Sequence, residues 1–366
     1  MEIQRAPVRD SERLDAREFV SANLVSVIIP TFNRANLVRD ALDSIAVQSW
    51  DQLEIIVVDD GSTDRTSASL KAWRAAHPQI AVRVLRQTNR GPSAARNAGV
   101  ETARGDFFYF LDSDDLVEPH ALSTLIAPLL AGRAPFSLAH IRNTDLAGRL
   151  CGDQAEGVSR QSKVSCFGSH WMTNAALYRR ATFAAAGPFN EALGRGEDTE
   201  HLWRVLNVAG PGVLIDTYIG DRRIHGQNHL CIGRSPRQCA RDDIVTVARF
   251  LDWAERNGRK SDLLCRSVFL RAVIAAVRAG HARDWDCHAG AVELLDRADQ
   301  RAPRPRWMLT TIVSVRWRIV HVPLMAAIVG LKWLRNTWRS HRRPPAHRRT
   351  AAPRFLPAAR RLGTEA

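Results

Sequence analysis

The stretch FFYFLDSDDLVEP, Phe107 to Pro119, runs five consecutive apolar residues into Asp112, Asp114 and Asp115. The run reads as a strand covered on both faces, since a short unbroken apolar segment suits a buried sheet position. Carboxylates gathered at its end repel one another and are costly to bury without a counter-charge. The stretch therefore predicts a strand that delivers its acids to something positive.

Upstream, two periodicities alternate. VSVIIP (Val25 to Pro30) and LEIIVV (Leu53 to Val58) are β-branched runs of the kind that form buried strands. Between them NLVRDALDSIAVQ puts Leu37, Ala41, Leu42 and Ile45 on one helical face. A helix over Thr63 to His77, a strand VRVLR (Val82 to Arg86) and a helix from Pro92 to Thr102 lead to the strand Phe107 to Leu111. Strands alternating with helices in this way predict an α/β fold with a doubly wound, mostly parallel sheet. Ligands of such sheets bind beyond the carboxyl ends of the strands. The polar clusters PTFNR, DDGSTD, TNRGPS and DSDD fall at those four ends in turn.

The chain has 366 residues, 45% hydrophobic and 25% charged, which is globular rather than disordered composition. Its net charge of +14 is confined to the end: the last 66 residues hold 15 Lys and Arg and one acid, Glu365, and the body is balanced. Six cysteines show no CxxC pair and no metal-ligand spacing, which fits reduced thiols in a cytoplasmic compartment. Residues 1–22 read as a polar leader, neither a signal peptide nor an anchor.

Each cluster has a chemical reading and a plainer one. Alternate carboxylates in DSDD can converge on a hard divalent cation whose other positions go to phosphate oxygens and water, or can cap a turn. Asp115 can serve that turn. Asp60, at the end of the second strand, can accept hydrogen bonds from a base or ribose, while Gly61, Ser62 and Asp64 can shape and cap the next helix. Thr31 and Asn33 offer hydrogen-bonding groups, and Phe32 offers either a stacking face or a core side chain. Arg96 sits near the start of its helix, where it can pair with a site aspartate. Glu197 and Asp198 in GEDTEHLWR are either functional acids or acids favoured at a helix N-terminus.

VSVIIPTFNR, VVDDGSTD, NRGPSAARNAG, FLDSDD and GEDTEHLWR occur in that order. Together they resemble the family 2 glycosyltransferases, inverting enzymes with a GT-A nucleotide-sugar-binding fold, over roughly residues 25–225. The resemblance implies a nucleotide-diphosphate sugar donor, commonly UDP-linked, and a divalent cation, Mn²⁺ or Mg²⁺. It implies Asp114 as main metal ligand, Asp112 on the ribose or metal, and Asp60 reading the base with Phe32 beside it. It implies Asp198 as catalytic base with Glu197 supporting it. It also implies that His225 of RIHGQN stands near the metal or diphosphate. Trp171 and Asn174 are candidates for lining the acceptor pocket.

The expected organisation is a leader (1–22), a GT-A catalytic domain (23–232), a helical region (233–300) of three helices with Gly258 and Gly280 as stops, and a basic Trp/Arg-rich tail (301–366). The tail has four Trp residues, and its uncharged stretch Ile319 to Leu331 has 13 residues. That is short of the roughly 20 needed to span a bilayer, so it reads as a segment lying on an anionic membrane surface. The alternative is a packed helix followed by a basic tail. A nucleic-acid partner fits the neutral body least. The expectation is an enzyme at the inner face of the cell membrane, moving a sugar to a glycan or lipid-linked acceptor. Rivals are a nucleotidyltransferase, against which PTFNR lacks a basic glycine-rich loop, and a non-catalytic scaffold on the same fold.

Overall fold

The computed structural model describes residues 23–151, 172–225, 235–258 and 262–299. The expected leader, the basic tail and Trp171 lie outside them. The order is β1 (Val25–Thr31), α1 (Leu37–Ala46), β2 (Leu53–Asp59), α2 (Thr66–Ala76), β3 (Val82–Arg86), α3 (Pro92–Thr102), β4 (Phe107–Phe110), β5 (Leu116–Val117), α4 (Ala121–Leu130), β6 (Phe136–Thr144) and β7 (Ala176–Arg179). Then follow α5 (Arg180–Ala186), α6 (Glu197–Ala209), β8 (Val213–Arg223), α7 (Pro236–Arg256), α8 (Asp262–His281) and α9 (Trp285–Asp299).

The described strands form one sheet in the order β3-β2-β1-β4-β7-β6-β8-β5. β3, β2, β1 and β4 are parallel, as the sequence predicts; β7 then joins β4 antiparallel. Strand order reverses between β1 and β4, the switch point at which such sheets open a crevice. Thr31 lies opposite Asp59 and Ile28 opposite Phe110, so the first two strands and β4 deliver their polar ends to one edge.

All seven β1 residues are buried, and their alternation feeds two layers. Val25, Val27 and Ile29 join a core with Leu42, Ile45, Leu70, Trp73, Leu122 and Leu125 from α1, α2 and α4. On the other face Phe110 packs with Phe183 and Phe189 at ring-centroid distances of 5.5 and 5.1 Å. In α1 the buried set is Val38, Ala41, Leu42, Ser44 and Ile45, so the face is rotated away from Leu37. Ser44 explains the shift, because its hydroxyl donates to the Ala41 carbonyl and accepts from the Val117 N–H.

The three helices expected at the end of the chain form as α7, α8 and α9. α7 starts with a capping box: Ser235 accepts from the Gln238 N–H while the Gln238 side chain accepts from the Ser235 N–H. Gly258, at φ 62°, follows α7 as expected. Gly280 does not stop α8, which runs to His281. Arg283 takes the left-handed position at φ 53°, and the Asp284 and Arg283 N–H groups donate to Ala279 and Gly280. Among the described residues no helix is long and apolar enough to cross a membrane.

α3 approaches β1 closely at Gly99, where an added Cβ would stand 2.5 Å from Ile28 Cγ2. Ile28 is fully buried and β-branched, so it has little freedom to withdraw. Gly99→Ala gains about 1 kcal/mol of helix propensity, yet overpacking costs about 1–3 kcal/mol. Net destabilisation is expected in urea unfolding, with a smaller cost in an Ile28→Ala background. Equal costs in both backgrounds would refute this contact as the cause.

Candidate active site

β4 ends at Phe110, and the next residues turn at once: the Asp115 N–H donates to the Asp112 carbonyl. Three carboxylates are thereby forced together, and each is met by a different partner. Asp112 accepts from Arg96 Nη2 at 2.7 Å. Asp114 Oδ2 lies 3.2 Å from Arg34 Nη2 and 3.0 Å from His225 Nε2. Asp115 is buried and accepts from the Arg223 N–H and from Asn174 Nδ2, both at 3.0 Å. Burial first, and then the charges of Asp114 and Asp112, hold the Asp115 carboxyl well above the usual range.

Arg96, on α3, is the centre of the site. Its second guanidinium nitrogen, Nη1, donates to Glu197 Oε1 at 2.9 Å, 101 residues further along the chain. Its side chain is only 4% exposed, and its guanidinium stands 5.4 Å from the Phe189 ring centroid. Burial works against its charge, but Asp112 and Glu197 outweigh burial and raise its pKa. The expected pairing with a site aspartate forms, and with Glu197 on the other nitrogen it joins DSDD to GED.

Glu197 and Asp198 open α6, with Gly196 as N-cap in the left-handed region at φ 78°. The acids thus sit where the helix dipole favours negative charge. Asp198 is partly exposed and accepts from the Thr199 N–H at 2.6 Å. Burial and the neighbouring Glu197 raise its carboxyl to about 7; the Thr199 N–H, Arg96 and Arg271 pull the other way.

At the end of β2, Asp60 is buried and its carboxylate accepts from Gln87 Nε2 and the Arg90 and Gly91 N–H groups, at 2.7 to 2.9 Å. The β1 and β2 loops are tied by Asn33, whose Oδ1 accepts from the Thr63 N–H at 2.8 Å and whose N–H donates to Ser62 Oγ. α2 starts at Thr66 rather than Thr63, because Thr63 bonds to Asn33 while Asp64 accepts from the Thr66 N–H. Phe32, 40% exposed, is a surface aromatic beside buried Thr31. Asn174 is buried, supports Asp115 with its amide and accepts the Tyr109 hydroxyl at its backbone carbonyl.

Two cationic residues that the sequence did not single out complete the site. Arg34 pairs with Asp114, and Arg223, at the end of β8, pairs with Asp40 at 2.6 Å while bonding the Asp114 carbonyl. Arg34 stands within the quoted PTFNR cluster, but nothing local points it at an acid 80 residues away. Among the described residues no three His, Cys, Asp or Glu side chains gather to hold a metal. Asp114 and His225 fit a cation that takes its remaining ligands from elsewhere. Asp114 Oδ2 and His225 Nε2, 3.0 Å apart, are the side-chain atoms that would hold it.

The sheet order and the site at its switch point define a GT-A-type fold. Two solved structures share it at TM-scores of 0.53. TarS 1–349 of S. aureus in complex with UDP-GlcNAc is 20% identical, with 76% of this chain and 92% of that one covered. The mannosyltransferase PcManGT of Pyrobaculum calidifontis in complex with GDP-Man and Mn²⁺ is 19% identical, covering 88% and 84%.

Residues 26–166 match the family described as Glycosyl transferase family 2. The chain carries a family 2 glycosyltransferase region on a GT-A fold. It is similar to the uncharacterised glycosyltransferase YibD of Escherichia coli K12, 42% identical over 110 residues, or 30% of this chain and 31% of YibD. It is 29% identical to an Escherichia coli chondroitin synthase over 226 residues, 60% of this chain and 32% of that protein. A Campylobacter jejuni GalNAc(5)-diNAcBac-PP-undecaprenol beta-1,3-glucosyltransferase is 39% identical over 110 residues, 30% and 36%. The chain spans about a third of the length of these curated relatives.

Removing the cation from the Arg96 bridge leaves two acids facing each other. Arg96→Met is expected to destabilise the fold by up to about 3 kcal/mol, the low end for breaking a buried pair, because Asp112 is partly solvated. Glu197→Gln in the same background recovers part of that loss in denaturant titrations. Additive losses would mean that Arg96 does not hold Glu197.

Proposed function

We propose that the protein is an inverting glycosyltransferase that moves a sugar from a nucleotide-diphosphate donor, UDP-linked by preference, to a hydroxyl of a glycan or lipid-linked acceptor. The observation that carries this reading is the Arg96 bridge, which joins the Asp112–Asp115 turn to the Glu197–Asp198 pair across the carboxyl edge of the sheet. The family match and relatives named for polysaccharide and glycolipid synthesis support the same reading.

On this reading Asp60, Thr31, Asn33 and Phe32 form the nucleoside side of the site, and Asp112 and Arg96 face the ribose and diphosphate. Asp114, with Asp112 and His225, would hold a divalent cation, which would supply stabilisation of the negative charge developing on the departing diphosphate. The PcManGT complex contains Mn²⁺, which supports a cation in this fold. Asp198 accepts the proton of the acceptor hydroxyl while the oxygen attacks the anomeric carbon. The new C–O bond forms as the bond to the diphosphate oxygen breaks, and the diphosphate leaves with the electron pair. Attack from the opposite face inverts the anomeric centre, and a positioned carboxylate provides about 10²- to 10⁴-fold of the rate. Glu197, tied to Arg96, orients the pair. The setting that fits is surface-polysaccharide or glycolipid assembly at the cytoplasmic face of a membrane, with the basic tail, residues 301–366, on anionic lipid.

Calorimetry of UDP, GDP and dTDP binding, each with and without Mn²⁺, tests the donor site in wild type and Asp114→Asn. Mn²⁺-dependent binding of one nucleotide, lost in the variant, is expected. Binding of none, or binding indifferent to metal and variant, sinks the reading.

The base assignment carries its own pH signature. Asp198 must be ionised to accept a proton, so turnover is expected to rise with unit slope through about pH 7 and to fall at least 10²-fold in Asp198→Asn. Its folded value lies above the unfolded one, so stability is expected to fall as pH rises towards 7. Asp198→Asn should therefore melt above wild type at pH 8; an unchanged pH profile in the variant would remove Asp198 from the chemistry.

A further inference from the structure

Asp114 is the acid on which the cation reading turns, and the oxygen that would hold the cation has a positive partner within the chain. Oδ2 meets Arg34 Nη2 at 3.2 Å and His225 Nε2 at 3.0 Å. A carboxylate oxygen offers about two lone-pair sites, so these two contacts use what Oδ2 has. The pair is sheltered, with side-chain exposures of 10% for Arg34 and 16% for Asp114. Screening is therefore weak, and the guanidinium repels a second positive charge brought to the same oxygen.

The backbone of Arg34, rather than its side chain, fastens the loop after β1. Its N–H donates to Thr66 Oγ1 and its carbonyl accepts from the Val38 N–H, both at 2.9 Å. Asn33 before it, left-handed at φ 52°, carries the tie to the β2 loop through Thr63. The long side chain of Arg34 can thus change partner while the loop keeps its place. Arg96 is bound differently: it is divided between Asp112 and Glu197 and faces the Phe189 ring.

We propose that Arg34 and the divalent cation compete for Asp114, and that the displaced guanidinium turns to the diphosphate, so that cation and nucleotide bind as a coupled pair. The inference rests on the reading of Asp114 as the cation's ligand, and it adds a diphosphate-binding residue to that reading. A guanidinium fork suits carboxylate and phosphate alike. When a diphosphate shares the cation with Asp114, Arg34 exchanges one anion for another and its charge stays met. A cation that arrives alone takes the carboxylate from Arg34 and leaves the two positive charges side by side. Each ligand then raises the other's affinity by the same factor, as linkage requires.

The test reads binding rather than turnover. Electron paramagnetic resonance of free Mn²⁺ follows ion binding to the full-length protein, and the part lost in Asp114→Asn is the site in question. Without nucleotide, Arg34→Gln is expected to tighten that binding about tenfold, the low end for a charge-assisted hydrogen bond. At saturating Mn²⁺, calorimetry with UDP, GDP and dTDP should show the opposite sign. The nucleotide that binds wild type should bind Arg34→Gln more weakly by a similar factor, because its diphosphate has lost a partner. Simple repulsion between Arg34 and the ion would give the first effect without the second.

Unchanged Mn²⁺ affinity in folded Arg34→Gln overturns the inference. So does tightened Mn²⁺ binding with nucleotide affinity unmoved. If Arg34→Gln does not fold, Arg34→Met keeps the stem, removes the fork and is read against the same two outcomes. Absence of Asp114-dependent Mn²⁺ binding in wild type and Arg34→Gln alike, with nucleotide or without, overturns the cation reading itself, so the two failures are distinguishable.

Discussion

The site depends on one buried cation. Arg96 leaves the second turn of α3 and reaches Asp112 with one nitrogen and Glu197 with another, joining residues that the chain keeps 85 positions apart. Without it, the turn after β4 and the start of α6 would present acids to each other across a crevice. An isolated buried guanidinium is costly, and so is an isolated buried carboxylate; together, and with good geometry, each removes the other's penalty. The arrangement therefore forms as a unit, and it ties the parallel half of the sheet to α6, which lies in the chain between the antiparallel strand β7 and β8.

The same accounting of charge explains the three acids after β4. Each has a distinct partner and therefore a distinct task. Asp115 faces inward and is held by a backbone N–H and an amide, so it shapes the turn. Asp112 and Asp114 face Arg96 and Arg34. Three identical side chains within four residues thus end in three environments, because the turn sends them in different directions.

The parallel half of the fold was legible because its signals are local. Val25 to Pro30 and Leu53 to Val58 are apolar runs broken only by Ser26 and Glu54, and α3 begins at Pro92 and ends at Thr102 where the sequence reading put it. The acids were legible for the same reason, since they end those strands. What escaped the sequence was decided at long range. β6 and β8 pair in parallel with register irregularities, and neither carries a pattern that announces its neighbour. Arg34 and Arg223 look like surface arginines until the fold brings Asp114 and Asp40 to them, the latter from 183 residues away. Gly280 offered a conventional helix stop, but the chain turned at Arg283, where the Asp284 N–H could reach the Ala279 carbonyl. The tail, residues 301–366, could be read only by composition.

The antiparallel joint between β4 and β7 has a consequence for how such a protein diverges. β7 meets the parallel strands through three residue pairs, Phe107 with Arg179, Phe108 with Tyr178 and Tyr109 with Leu177. On the proposed reading the groups that meet the nucleotide lie on one side of that seam, except His225 after β8, while the acids at the start of α6 also lie beyond it. Loops and strands beyond the seam can drift, lengthen or be exchanged while β1, β2, β3 and β4 keep their register. Evolution can then change what receives the sugar without rebuilding what delivers it, provided that one arginine still finds its glutamate across the gap.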